Sequence, residues 1–312
     1  MPKISLVTSI YKTAHCIPEL YERSLPVLEA CADSYEFVIV DDGSPDDVRE
    51  IVLGLIEKDQ HVRLVELSRN FGQHRALMTG LRYATGDLVF MIDADLEENP
   101  ELLEEFYRIM HAPGADVDVV YGVMARRKGG TFERSAGAAF YWLMDRISSV
   151  PIPRDILGAR LMTRRFVDAL LSHEEAEPYM GGLMALTGFG QVAVPCEKTS
   201  RGASSYDLRR KLRLASDALF GFSTVPLTAI AVTGIAITLG TILAGFLGAQ
   251  ITVIPDQGTP SGIGFAVWSI WFLGGLLLTA VGIVGMYVGR VLIQARGRPV
   301  AIVRRVYGGD AD

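Results

Sequence analysis

From Ile4 to about Tyr121, short and nearly unbroken apolar runs alternate with longer amphipathic ones. The runs ISLVTSI, EFVIVD, VRLVEL, DLVFMID and VDVVYG have the length and β-branched content of strands, whereas residues 17–32, 46–57, 73–84 and 100–111 carry helical spacing. Strands without a polar face, separated by helices of this length, predict an α/β fold with a Rossmann-like, mostly parallel sheet covered on both sides. In such sheets ligands bind beyond the carboxyl ends of the strands.

The pattern changes in the last third of the chain. No charged residue lies between Asp217 and Asp256, and none between Asp256 and Arg290. Two transmembrane helices are expected near 225–249 and 265–289, each longer than the roughly 20 residues that cross a bilayer core. Their apolar character continues all the way round, as for helices in lipid. Arg209, Arg210, Lys211 and Arg213 precede the first, Arg290, Arg296, Arg298, Arg304 and Arg305 follow the second, and the connecting loop has no Lys or Arg. The positive-inside rule then puts both termini in the cytoplasm. The expected organisation is a cytosolic domain over 1–205, an amphipathic juxtamembrane segment over 206–222, a two-helix hairpin over 223–290 and a cytoplasmic tail over 291–312. The juxtamembrane segment reads equally as a helix among anionic headgroups or as a solvated linker.

Charge and composition sharpen this division. The 312 residues are 49% hydrophobic, with a mean hydropathy of +0.27, which excludes a disordered chain. Residues 1–195 hold 19 Lys/Arg against 30 Asp/Glu, a balance of −11, and the remainder holds 11 against 6, a balance of +5. The acidic front half has no basic, aromatic-interleaved stripe, so no nucleic-acid partner is expected. Cys16, Cys31 and Cys196 are widely spaced and form no CxxC pair, which fits a reducing compartment and no disulfide or zinc scaffold. The N-terminus enters a strand directly, without the apolar stretch of a cleavable signal. An integral protein of the inner (cell) membrane with a cytoplasmic catalytic domain is the expectation.

Two strands run into acids: EFVIV into Asp41-Asp42-Gly43-Ser44, and LVFMI into Asp93-Ala94-Asp95-Leu96-Glu97. An extended backbone would put Asp93, Asp95 and Glu97 on one side, a set of hard oxygen ligands suited to Mg²⁺ or Mn²⁺ bridging a diphosphate.

The order IVDDGS, LSRNFGQHRALMTGL, GDLVFMIDADLEENPE, VVYGVMARR and ARLMTRR, followed by a paired membrane hairpin, resembles the polyprenyl-phosphate glycosyltransferases related to dolichol-phosphate mannose synthase. The resemblance spans nearly the whole chain. It implies a GT-A fold enzyme that moves a sugar, with inversion, from a nucleotide sugar to a lipid phosphate. By that resemblance Asp41 and Asp42 hold the base and ribose, and Thr8, Tyr11 and Ala94 belong to the same donor site. Asp93 and Asp95 hold metal and diphosphate, and Glu97 stands where relatives often have Gln as a further ligand. Ser68, Arg69, Arg126, Arg160, Arg201 and Ser205 fall where the donor diphosphate or the acceptor phosphate would lie. Arg201 and Ser205, with Arg160, are the acceptor-side set, and Asp95, Asp155 and Arg160 the catalytic one. A guanidinium fork suits phosphate oxygens independently of any family.

The chain departs from its relatives at two places. Lys12-Thr13 replaces an Asn-Glu pair near the nucleotide, and Gly158 stands where relatives carry an Asp often proposed as catalytic base, with Asp155 as a substitute. A phosphate acceptor needs no base, because with a second pKa near 6 it is largely dianionic at neutral pH. A UDP-sugar donor is favoured over GDP-mannose. The competing readings are a transferase-like subunit that binds nucleotide sugar or lipid without turnover, and a non-processive transferase with another acceptor. A processive polysaccharide synthase is disfavoured, because Trp142, Trp268 and Trp271 lie in no QxxRW context. His74 and His173 read as structural, and Phe71, Tyr141, Trp142 and Tyr179 as packing. Glycines along both hydrophobic helices, from Gly234 to Gly289, permit close helix contact and a homo-oligomer such as a tetramer.

Overall fold

The five apolar runs of the front half become strands: β1 (Lys3–Ile10), β2 (Ser34–Asp41), β3 (Val62–Leu67), β4 (Leu88–Met91) and β5 (Val119–Met124). Helices α1 (Ile17–Cys31), α2 (Val48–Ile56), α3 (Gln73–Tyr83) and α4 (Leu102–Met110) lie between them, within two residues of the expected boundaries. A computed structural model describes residues 1–124, 156–175, 178–197 and 262–309, with positions 227, 230, 232–234 and 236. The sequence pattern had not announced β6 (Ile156–Thr163), α5 (Arg164–Leu171), α6 (Met180–Thr187), β7 (Gln191–Cys196) or β8 (Val303–Gly308).

The strands form one sheet in the order β7-β5-β6-β4-β1-β2-β3-β8. Pairings β1/β2, β1/β4, β2/β3 and β5/β7 are parallel, whereas β6 runs antiparallel to both β4 and β5, and β8 antiparallel to β3. Side-chain alternation splits the core in two. Leu6, Phe37, Ile39 and Phe90 pack with residues of α1, α2 and α4, and Val7, Val38, Val89 and Met162 pack with residues of α3, α5 and α6. A fully buried Phe or Leu in these layers contributes about 2 kcal/mol.

The chain divides into two compact units. One comprises Met1–Arg146, Val150–Lys211 and Arg298–Asp312, and the other Ile147–Ser149 and Leu212–Gly297. The sheet belongs to the first. In the second, helix α7 (Gly262–Ala295) runs 34 residues, about 51 Å at 1.5 Å per residue, with Arg290 as its one charged residue. Counting only residues described with their side chains, no helix is long and apolar enough to cross a membrane; the backbone of α7 continues through positions whose side chains are not described. The segment expected at 206–222 and most of the helix expected at 225–249 lie outside the described residues.

Within the tail expected over 291–312, the described residues finish α7 and then supply β8, which returns to the first unit and covers the edge of β3. Arg304 and Tyr307 both donate to the Glu66 carboxylate, at 3.0 Å and 3.4 Å, and Ser68 N donates to Ile302 O at 2.9 Å. An uncovered β3 edge would leave backbone groups without ladder partners.

Candidate active site

The connections β1–β2–β3 move outward on one side of β1, and the chain then crosses back to lay β4 on the other side. This switch point opens a crevice at the strand carboxyl ends, where open α/β sheets hold ligands. A cleft of about 470 Å³ lies here, lined by Ser9 and Ile10 at the end of β1, Tyr11 and Thr13 after it, Asp42 after β2, Asn70, Gly72 and Gln73 ahead of and at the start of α3, and Asp93, Ala94 and Asp95 after β4.

The turn after β2 is locked to the turn after β3. Asp42 accepts from Phe71 N at 2.7 Å and Gly72 N at 2.9 Å, so its buried carboxylate organises the loop that walls the cleft. Burial pushes its pKa up, and those two N–H groups and Arg69 offset the rise only in part. Asp41 is also buried and accepts from Ser44 N at 2.8 Å; burial raises its pKa as well. Gly43 has φ +67 and rests on the Arg69–Asn70 backbone, where a Cβ would come within 2.6 Å of Arg69 C. Only glycine meets both demands.

The alternation expected over residues 93–97 is not kept. Leu96 sits at φ 57, and Asp95 accepts from Glu97 N at 3.0 Å, an Asx-type turn that replaces extended backbone. Among the described residues no three His, Cys, Asp or Glu side chains are grouped to hold a metal. Asp93 and Asp95 nevertheless line the same cleft, and one or two carboxylates completed by phosphate oxygens and water is the donor set that Mg²⁺ accepts. Gln73 Nε2 donates to Asp93 Oδ1 at 2.8 Å, bringing the first residue of α3 into this group.

The sequence pattern of glycosyl transferase family 2 matches residues 5–170, which includes every strand-end turn that forms the cleft. A protein of Mycobacterium tuberculosis (strain CDC 1551) described as a glycosyltransferase is 40% identical over 309 residues, covering 99% of this chain and 89% of its own length. The chain belongs to glycosyl transferase family 2. The undecaprenyl-phosphate 4-deoxy-4-formamido-L-arabinose transferase of Yersinia pestis is 28% identical over 313 residues, covering 99% of this chain and 94% of that protein. Glucosyl-3-phosphoglycerate synthase of M. tuberculosis, solved with Mn²⁺, UDP-glucose and phosphoglyceric acid, superposes with a TM-score of 0.51 at 18% identity, over 70% of this chain and 78% of that one. That likeness establishes the GT-A-like fold of this family 2 glycosyltransferase.

The remaining expected site residues of the transferase divide sharply. Tyr11, Asp42, Asp93, Ala94 and Asp95 line the cleft. Thr8 does not, being 0% exposed within β1. Arg69 turns its guanidinium onto the Phe71 ring, 4.2 Å from the centroid, and Ser68 is tied through its backbone to the β8 side. Arg160 is buried; it donates to Leu157 O at 3.0 Å and Gly158 O at 3.2 Å and lies against the Met184 sulfur. Burial lowers its pKa, with the Glu98 and Asp93 carboxylates opposing. Arg126, Asp155, Arg201 and Ser205, with Tyr141 and Trp142, lie outside the described residues.

His74 contacts Pro178 O at 3.3 Å and the Tyr179 ring, and His173 contacts Thr187 Oγ1 at 3.2 Å. Thr13, one of the two departures from the family pattern, lines the cleft, whereas Ser9, Ile10, Asn70, Gln73 and the neighbouring Glu98 carry no role by sequence pattern alone. Gln73 had one legible signal, its place where a strand-end loop gives way to a helix. Lys12, between the lining residues Tyr11 and Thr13, adopts φ 63 and donates from its backbone to Ser44 Oγ at 3.1 Å.

Proposed function

We propose that this family 2 glycosyltransferase moves a sugar from a nucleotide sugar, a UDP-sugar by preference, to polyprenyl phosphate at the cytoplasmic face of a membrane. The observation that carries the reading is the Asp93/Asp95 pair facing the switch-point cleft beside the first turn of α3. Asp93 and Asp95 would hold Mg²⁺ or Mn²⁺, which when bound offsets the charge growing on the departing nucleoside diphosphate. Tyr11 and the loop braced by Asp42 shape the donor slot. The amino end of α3 adds a positive dipole end beside the diphosphate.

Two observations support the lipid acceptor. The full-length relative from Y. pestis is named for an undecaprenyl-phosphate transfer. The apolar segment also leaves the first unit and returns to it through β8, so any membrane it enters must be crossed an even number of times. That connectivity favours the two-helix hairpin, with α7 as its second arm. Gly158 supplies no base, which suits a phosphate acceptor already ionised at neutral pH. Catalysis then rests on charge stabilisation and on positioning of the two reactants.

The test is a transfer assay with the full-length protein in detergent or lipid, Mg²⁺ or Mn²⁺, polyprenyl phosphate and a panel of UDP- and GDP-sugars, with Asp95→Ala as control. A glycolipid product that requires metal and vanishes in the variant supports the proposal and names the donor. Nucleotide binding without product from any donor supports the non-catalytic subunit instead.

A further inference from the structure

Beside the cleft, the register between β5 and β6 breaks. Tyr121 pairs with Arg160 and Val123 with Ile156, so Leu157, Gly158 and Ala159 lie opposite Gly122 alone. On the other side of β6 the β4 ladder does not reach these residues, ending at Met91 opposite Arg160. The bulge therefore leaves backbone groups that the ladder does not pair, in a part of the sheet where lost hydrogen bonds are costly.

One acid and one base of the chain itself take them up. Glu98, 1% exposed, accepts from Gly158 N at 2.7 Å through one oxygen and from Ala159 N at 2.5 Å through the other. Arg160 donates to the carbonyls of Leu157 and Gly158. Held from both directions, the bulge presses Gly158 against Asp93: a Cβ at 158 would lie 2.7 Å from Asp93 Oδ2 and 3.0 Å from Oδ1. Gln73 Nε2 holds Oδ1 from elsewhere in the cleft.

We infer that Glu98 is a positioning residue that fixes the Asp93 carboxylate through the backbone of Gly158. The inference rests on the reading of Asp93 as a ligand of the donor's divalent cation. It also explains why glycine stands at 158: the space a side chain needs is filled by Asp93. A carboxylate aimed in this way binds cation more tightly than one free to rotate. Partners of this kind are worth about 10- to 100-fold in metal affinity.

The test uses the full-length protein in detergent and follows free Mn²⁺ by electron paramagnetic resonance during titration, with UDP or GDP present. Asp93→Asn examines the underlying reading. Glu98→Gln turns one backbone acceptor into an N–H facing an N–H, and Gly158→Ala pushes directly on Asp93. If Asp93→Asn abolishes Mn²⁺ binding, both other variants are expected to raise the half-saturating Mn²⁺ concentration about tenfold, with metal-free nucleotide binding unchanged. Loss of binding in Asp93→Asn with wild-type Mn²⁺ affinity in folded Glu98→Gln and Gly158→Ala overturns the inference alone. Unchanged Mn²⁺ affinity in Asp93→Asn overturns the reading beneath it and the inference together. Should Glu98→Gln not fold, Glu98→Asp decides: it keeps the charge but draws the acceptor oxygens back from Gly158 N and Ala159 N, and wild-type Mn²⁺ affinity in it overturns the inference.

Discussion

Arg304 donates to the Glu66 carboxylate at 3.0 Å across 238 positions of sequence, fastening the last strand of the chain to the strand that leads into the cleft. A second donation, from Arg304 Nη2 to Ser68 O at 3.1 Å, reaches the residue just after β3. The end of the chain is thus part of the catalytic unit. Arg304→Ala is expected to lower stability by about 1 kcal/mol, less than a buried charged hydrogen bond because the Arg304 side chain is 60% exposed. Deletion of β8 should cost more and weaken nucleotide binding as well, since the loop after β3 walls the cleft. Thermal melting and nucleotide titration of the two variants check both expectations.

Asp42 gives a prediction that separates bracing from direct contact. Its two oxygens each accept a backbone N–H, so Asp42→Asn sets an amide N–H against one of these donors. A loss of about 1–3 kcal/mol in stability is expected for the buried mismatch. Activity should show a raised KM for the donor with a smaller change in kcat, because the loop and not the reacting atoms is disturbed. Denaturant melts and steady-state kinetics measure the two effects.

His74 sets an acid limit on stability. Burial, with Arg160 adding repulsion, lowers its pKa below 6.5, and the contact with Pro178 O only partly opposes this. A depressed folded-state pKa means the unfolded chain binds the proton first. Its contribution is therefore complete above pH 6.5 and is lost as pH falls through the folded value. Melting temperature measured from pH 7.5 to pH 5 should drop less steeply in His74→Gln than in the wild type. An equal slope in both would show that other groups carry the acid sensitivity.

Metal removal completes the set. Chelation is expected to abolish sugar transfer while leaving the fold intact, because the carboxylates that would hold the ion sit in turns beyond the strand ends and not in the core. Far-ultraviolet circular dichroism after chelation should be unchanged, and Mn²⁺ or Mg²⁺ should restore activity. Asp95→Ala should show no restoration at any metal concentration that the wild type needs.

Periodicity is a local property, so the sequence by itself determined the first five strands, the four helices between them and the acids at two strand ends. A run such as FVIV can only be buried on both faces, and an acid that ends such a run has only the crevice to enter. The long charge-free stretch before Arg290 was equally legible, since α7 needs no distant partner to close its own hydrogen bonds. What the tertiary structure decided depends on residues far apart in sequence. β8 is strand-like only because β3 offers an edge, and its own sequence VRRVYG is polar enough to pass for a tail. Arg160, which charge alone would send to a phosphate, is drawn inward by carbonyls that the bulge in β6 leaves exposed. Asp95 accepts the Glu97 backbone N–H in a turn that replaces extended backbone, and Gln73 reaches Asp93 in the cleft behind a loop that Asp42 anchors. These outcomes are set by which backbone groups find partners after the sheet has assembled, and spacing along the chain does not encode that competition.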